Sequence, residues 1–239
     1  MKHPGARRWF LVAAVLSLGL GWAQDRLDPY FVDILTRIGI NVILAVSLNL
    51  INGHTGQFSL GHAGFMGVGA YTAAALTLFA GPKLLPAGAG FWVEQLWFLL
   101  ALAAAGLVAA LAGLLVGAPS LRLKGDYLAI VTLGFGQIIA VIFRNIESLG
   151  GALGLNGIPA RTNLFWAFSA AALTVYVVTA LVNSTYGRGF LATHDDEVAA
   201  EAMGMNTTRY KIVAFVTGAF FAGIAGSLSG HFTLTINPK

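Results

Sequence analysis

Between residues 49 and 65, the side chains of Asn49, Asn52, His54, Gln57, Ser59 and His62 are interleaved with Gly53, Gly56, Gly61 and Gly64. These are hydrogen-bonding groups, not nucleophiles or paired acids. Irregular backbone at membrane depth is tolerated only where it is buried in protein or lines a wet cavity, and transporters use such broken helices near the path. Two histidines without a nearby carboxylate or thiolate make a poor ligand set, so no metal site is assigned, and no catalytic constellation is present. Two readings stand for this stretch: a pathway or gating element, or a turn followed by a tightly packed helix start. If the residues after Gly56 are helical, Gln57 and Gly61 share one face, as do Ser59 and His62.

A second polar segment, residues 183–211, is the longest in the chain. It contains Asp195, Asp196, Glu197, Ala199, Ala200, Glu201, Met203 and Gly204. Residues 193–204 read as one short helix. Thr193 or Asp195 can cap its first amides, and Asp196 and Glu197 suit its positive end. Gly204 is placed to end it, and Asn206, Thr207 and Thr208 can cap the helix that follows. Such an acidic helix either inserts into a groove on a partner or is a solvated connector. No G-x-x-x-x-G-K-[ST] motif occurs, so the chain carries no cofactor of its own, and any ATP and Mg would be bound by another subunit.

The elements that position these segments are set by composition. The chain has 239 residues, 57% hydrophobic and 10% charged, with a mean hydropathy of +0.76. A soluble domain carries about 25% charged residues, so this chain cannot cover a water-facing surface. The basic residues are scattered in short loops, which does not suggest nucleic acid. There are no cysteines, which excludes disulfides, iron–sulfur clusters and thiolate zinc sites.

A membrane helix needs about 20 mostly apolar residues. About seven candidates follow, at 9–23, 31–51, 58–80, 96–118, 127–143, 164–182 and 212–232. The first is read as an uncleaved membrane helix, because Trp22 spoils a small-residue cleavage site. The fold class is therefore all-α: a polytopic bundle forming one transmembrane domain, residues 1–239, with 183–211 as a loop within it. Lys2, Arg7 and Arg8 predict a cytoplasmic N-terminus. Seven crossings then put Arg122 and Lys124, and Arg188, Arg209 and Lys211, on the inner side. Asp33 and Arg37, four apart, can pair near the outer surface. Gly113 with Gly117, and Gly218, Ala222, Gly226 and Gly230, are spaced for close helix packing.

Three stretches carry a resemblance to a known family. They are residues 41–65, centred on Asn52-Gly53-His54-Thr55-Gly56-Gln57-Phe58-Ser59-Leu60-Gly61-His62; residues 121–135; and residues 197–206. In this order they resemble the permeases of branched-chain amino acid ABC importers, in the LivM-type branch for high-affinity hydrophobic amino-acid uptake. The resemblance covers about residues 30–236. It implies a bacterial or archaeal inner-membrane permease subunit, not an enzyme, that translocates branched-chain or other hydrophobic amino acids. It also implies the partners: a homologous second permease subunit, two cytoplasmic ATPase subunits and a periplasmic substrate-binding protein. In such importers a helix like 193–204 docks on the ATPase. The general pattern E-A-A-x-x-x-G, counted back from Gly204, puts Val198 where the first acid belongs and leaves Glu197 one residue off. Family members continue through further helices beyond the equivalent of residues 231–238, so a longer permease is expected. The alternatives are a relative that carries urea, short amides or another small solute, or an ATP-independent channel or carrier.

Overall fold

The computed structural model describes residues 4–85, 90–121 and 126–238, with backbone only at 4–9, 11, 14, 25 and 126. Lys2, Arg122, Lys124 and Gly125 therefore lie outside the described residues, as do the side chains of Arg7 and Arg8. The described chain is helical almost throughout. Long helices are α1 (Pro4–Ala23), α2 (Pro29–Asn52), α3 (His62–Leu84), α4 (Phe91–Ser120), α5 (Asp126–Asn145) and α6 (Leu164–Val182). Two short helices follow, α7 (Thr185–Asp195) and α8 (Glu197–Ala202), and then the long α9 (Thr207–Thr233). The one sheet among the described residues is a two-residue antiparallel pairing of β1 (Leu155–Asn156) with β2 (Thr235–Ile236).

The seven expected spans each coincide with a long helix. Six of these, α2 to α6 and α9, are long and apolar enough to cross a membrane. In α1 the apolar run from Trp9 to Ala23 is only about 22 Å at 1.5 Å per residue, short of the roughly 30 Å hydrocarbon core. The starts of the helices are legible in their caps. Asp28 accepts from the Tyr30 amide at 2.8 Å ahead of Pro29. Asn163 accepts from Trp166 at 3.0 Å, and Asn206 accepts from Arg209 at 3.0 Å. Each side chain satisfies an amide that the helix itself cannot.

Helix α9 is the axis of the bundle. Of its best spanning window 67% is buried, against 17% for α5. It is packed by small residues at the spacing noted above. A Cβ at Gly226 would overlap the Met66 backbone, and one at Gly113 would reach the Ala219 methyl at 2.6 Å. Gly69 and Gly223 bring α3 and α9 into backbone contact, since a Cβ on Gly69 would overlap Gly223. The glycine spacing therefore serves packing within this chain.

Contacts at the two ends fix the alternation of crossings. At one end Gly56 lies against His194. At the other, Arg161 Nη1 approaches Glu94 Oε2 at 3.4 Å, Trp166 Nε1 donates to Gln95 Oε1 at 2.9 Å, and β1 pairs with β2. The residue 58–80 segment is thus a single crossing, as the sequence requires.

Candidate functional site

Helix α2 ends where Gly53 and His54 both donate backbone N–H groups to the Asn49 carbonyl, at 2.8 and 3.0 Å. Thr55 Oγ1 donates to the Ile51 carbonyl at 2.7 Å. Gly56, at φ +66°, then turns the chain through a conformation that glycine adopts without strain. Helix α3 does not begin until His62. Residues 57–61 form no regular element, so the two expected helical faces do not form. Burial alternates along the segment, and Gln57 and Ser59 both turn inward.

The resulting pattern is inverted relative to a water-soluble strand. Thr55, Gln57 and Ser59 are buried, whereas Phe58 and Leu60 are 57% and 46% exposed. The polar side chains enter the bundle. Gln57 Nε2 donates to Thr55 Oγ1 at 2.8 Å. The Ser59 amide donates to Asn52 Oδ1 at 3.3 Å, and the Leu60 amide to Thr132 Oγ1 at 3.1 Å. His62 Nε2 lies 3.0 Å from Ser47 Oγ. Gln57 Oε1, Ser59 Oγ and His62 Nδ1 remain buried without a partner among the described residues. Such atoms are ordinarily met by water or by a ligand.

Of the six pathway candidates, Gln57, Ser59 and His62 therefore come together, with Asn52 bracing the backbone beside them. Asn49 is exposed on the outer face of α2, and His54 is half-buried in the turn. Ser47, Thr55 and Thr132 join the cluster unannounced. A lone hydroxyl residue in an apolar span carries no periodic signal, and only the fold brings Thr132 across from α5.

A groove of about 190 Å³ runs between α3 and α5, lined in part by Gly64, Gly67, Gly136, Gln137 and Asn237. Gln137 is an exposed amide within a membrane span and belongs to no motif that sequence reasoning isolated. At the opposite end a second buried cluster forms around His231. Its Nε2 lies 3.0 Å from Thr77 Oγ1, and its Nδ1 lies 2.8 Å from the Ser227 carbonyl. Thr77 sits in a π-helical turn, Leu76–Ala80, a rare local widening of a helix.

The 183–211 segment folds as two helices rather than one. Asp196 is extended, at φ −156°, and its carboxylate accepts from Val198 and Ala199 at 2.9 and 3.0 Å. The cap of α8 is therefore Asp196, not Thr193 or Asp195, which close α7. Gly204, at φ +82°, ends the helix as expected. Glu197 turns inward and pairs with Lys211 Nζ at 2.6 Å, where Lys211 is buried. Glu201 Oε1 accepts from Thr207 Oγ1 at 2.8 Å. Ala200 is buried, while Asp195, Asp196, Ala199 and Gly204 are exposed. Val198 and Met203 are 68% and 82% exposed. The acids anchor the helix, and its apolar side chains face outward.

These features define a multi-pass helical membrane protein with a broken, polar connection inside the bundle and a short helix anchored at one end. The chain belongs to the permease family of branched-chain amino acid transport systems: the model described as "Branched-chain amino acid transport system / permease component" matches residues 30–239. The chain is 35% identical to the high-affinity branched-chain amino acid transport system permease protein LivM of Escherichia coli (strain K12), over 93% of its length. It is 36% identical to the LivM protein of Salmonella typhimurium over the same share. It spans 57% of the length of each of these relatives. A probable LivM protein of Methanocaldococcus jannaschii is 28% identical over 54% of this chain and 42% of that protein. No solved structure matches.

Proposed function

We propose that this chain is the permease part of an ABC importer that moves branched-chain or other hydrophobic amino acids across the inner membrane. Its N-terminus is cytoplasmic, in keeping with the basic residues at the Gly56–His194 end of the bundle. It works beside a homologous second permease subunit, two cytoplasmic ATPase subunits that bind the ATP and Mg, and a periplasmic binding protein. Transport is by alternating access: closure of the ATPases pushes on α8, and the helices rock against one another.

The observation that carries this reading is the construction of α8. Asp196, Glu197 and Glu201 are committed to capping or to Thr207 and Lys211 on α9. A push on the exposed Val198–Met203 surface therefore passes directly into α9, the most buried span. Cross-linking tests it, because the chain has no cysteine of its own. Ala199→Cys and Met203→Cys are introduced singly in the full complex. A link from either to the ATPase is expected, together with ATP-dependent leucine uptake by the unmodified complex. Links only from another loop overturn the docking assignment.

A further inference from the structure

Helix α2 turns an unusual face outward. Its buried seam runs through Thr36, Gly39, Ile40, Ile43, Ser47, Leu50 and Ile51. The opposite face exposes Arg37, Asn41, Ala45 and Asn49. These residues are each four apart and lie on one i±4n ridge, which Asp33 extends at the outer end. Arg37 Nε donates to Asp33 Oδ2 at 2.8 Å, and both side chains are about half exposed. The ridge thus begins at a hydrated ion pair and descends about 24 Å to Asn49, at 1.5 Å per residue. Asn49 stands one turn before the Gly53–Gly61 connection.

Several other polar side chains in the spans are satisfied within their own helices. Thr72, Thr174, Thr217 and Asn145 each donate to the carbonyl four residues back. Among the described residues, no hydrogen bond engages the Asn41 or Asn49 amide. Facing lipid, each would be an unpaired polar group in hydrocarbon, which is strongly unfavourable. The exposed face of α4 shows what lipid selects here: Leu100, Leu107, Leu111 and Leu115 are each more than half exposed, and all are aliphatic.

We infer that the Arg37–Asn41–Ala45–Asn49 ridge of α2 lines the aqueous path and that its two amides hand along the zwitterionic end of the amino acid. An amide suits both ends of a zwitterion, since its oxygen accepts from an ammonium and its NH₂ donates to a carboxylate. The two stand about 12 Å apart along the helix, with the small Ala45 leaving room between them. This inference rests on the permease reading and adds to it a wetted face running the length of α2.

Thiol accessibility tests it in the assembled complex. Asn41→Cys, Ala45→Cys and Asn49→Cys are compared with Leu107→Cys and Leu111→Cys on α4, using a membrane-impermeant maleimide. The thiolate is the reacting species and forms in water, so the α2 positions are expected to react about tenfold faster than the α4 positions. Leucine added with ATP is expected to slow the α2 reaction. Equal, slow rates on both helices overturn the wetted path and mean that lipid or protein covers α2. Fast α2 labelling that leucine does not alter, in a complex that takes up leucine, removes the amides from the substrate's route. Failure of the unmodified complex to take up leucine would instead count against the permease reading, whatever the labelling.

Discussion

The two polar segments that stand out in the sequence meet at the same end of the bundle, yet their polar groups are used differently. The α2–α3 connection turns its polar groups in and its apolar side chains, Phe58 and Leu60, out. The α7–α8 segment also exposes apolar side chains, Val198 and Met203, but its acids are spent on local caps and on α9. The first is part of the interior, closed over by Ser47, Thr132 and Asn52. The second is a projecting surface with a fixed root. Similar polarity in sequence therefore yields two different constructions, suited to the two proposed roles of meeting a solute and meeting another protein.

Separating α3 from α5 should break this contrast most severely. A Cβ on Gly61 would lie 2.6 Å from the Thr132 carbonyl oxygen, which is helix backbone and cannot yield. Gly61→Val is expected to cost about 3 kcal/mol and to lower the melting temperature in detergent. Gly67→Ala, with nothing within 4 Å of the added carbon, is the matched control and should leave melting unchanged. Equal melting of the two variants would mean that the 57–61 segment is not held as described.

Next in size is the root of α8. Lys211 is buried and Glu197 is partly exposed. Lys211→Met leaves a carboxylate facing an apolar side chain at a loss of about 2 kcal/mol, reduced from a fully buried pair by solvent at the glutamate. Adding Glu197→Gln should restore most of the melting temperature, because the stranded charge is gone. A double variant no better than the single one would show that the pair does not anchor the helix.

The contrast also separates what sequence could reveal from what it could not. The spans were legible because long apolar runs have few alternatives, and the caps at Asn206 and Gly204 because turn chemistry is local. The start of α3 was not, since the amides of Ser59 and Leu60 are held outside the helix by Asn52 and Thr132, groups on two other helices. The same holds for the inward turn of Glu197, which depends on Lys211 in the next helix. Motif spacing located both segments, but only tertiary contacts decide which side chains face in.

A smaller effect is expected at Ser47. Its hydroxyl meets His62 Nε2 at 3.0 Å in a fully buried position. Ser47→Ala leaves the ring nitrogen unpaired, a loss of about 1 kcal/mol readable as a modest fall in melting temperature. Ser47→Thr keeps the hydroxyl and should restore part of it if the added methyl is accommodated.

The smallest effect on stability, and the sharpest test of the comparison, belongs to Met203. Its side chain is 82% exposed, so Met203→Ser should change stability by less than about 0.5 kcal/mol. On the proposed reading the same exposure would let it anchor in a groove on the ATPase, where one buried apolar side chain is worth roughly 1.5–3 kcal/mol. Co-purification of the ATPase and ATP-driven leucine uptake should therefore fall together while melting stays constant. Phe58→Ser is the counterpart on the other segment. It too is exposed, but it lies on the first connection and not on α8, so it should leave ATPase retention unaltered. If Phe58→Ser weakened ATPase binding and Met203→Ser did not, the roles of the two segments would have to be exchanged.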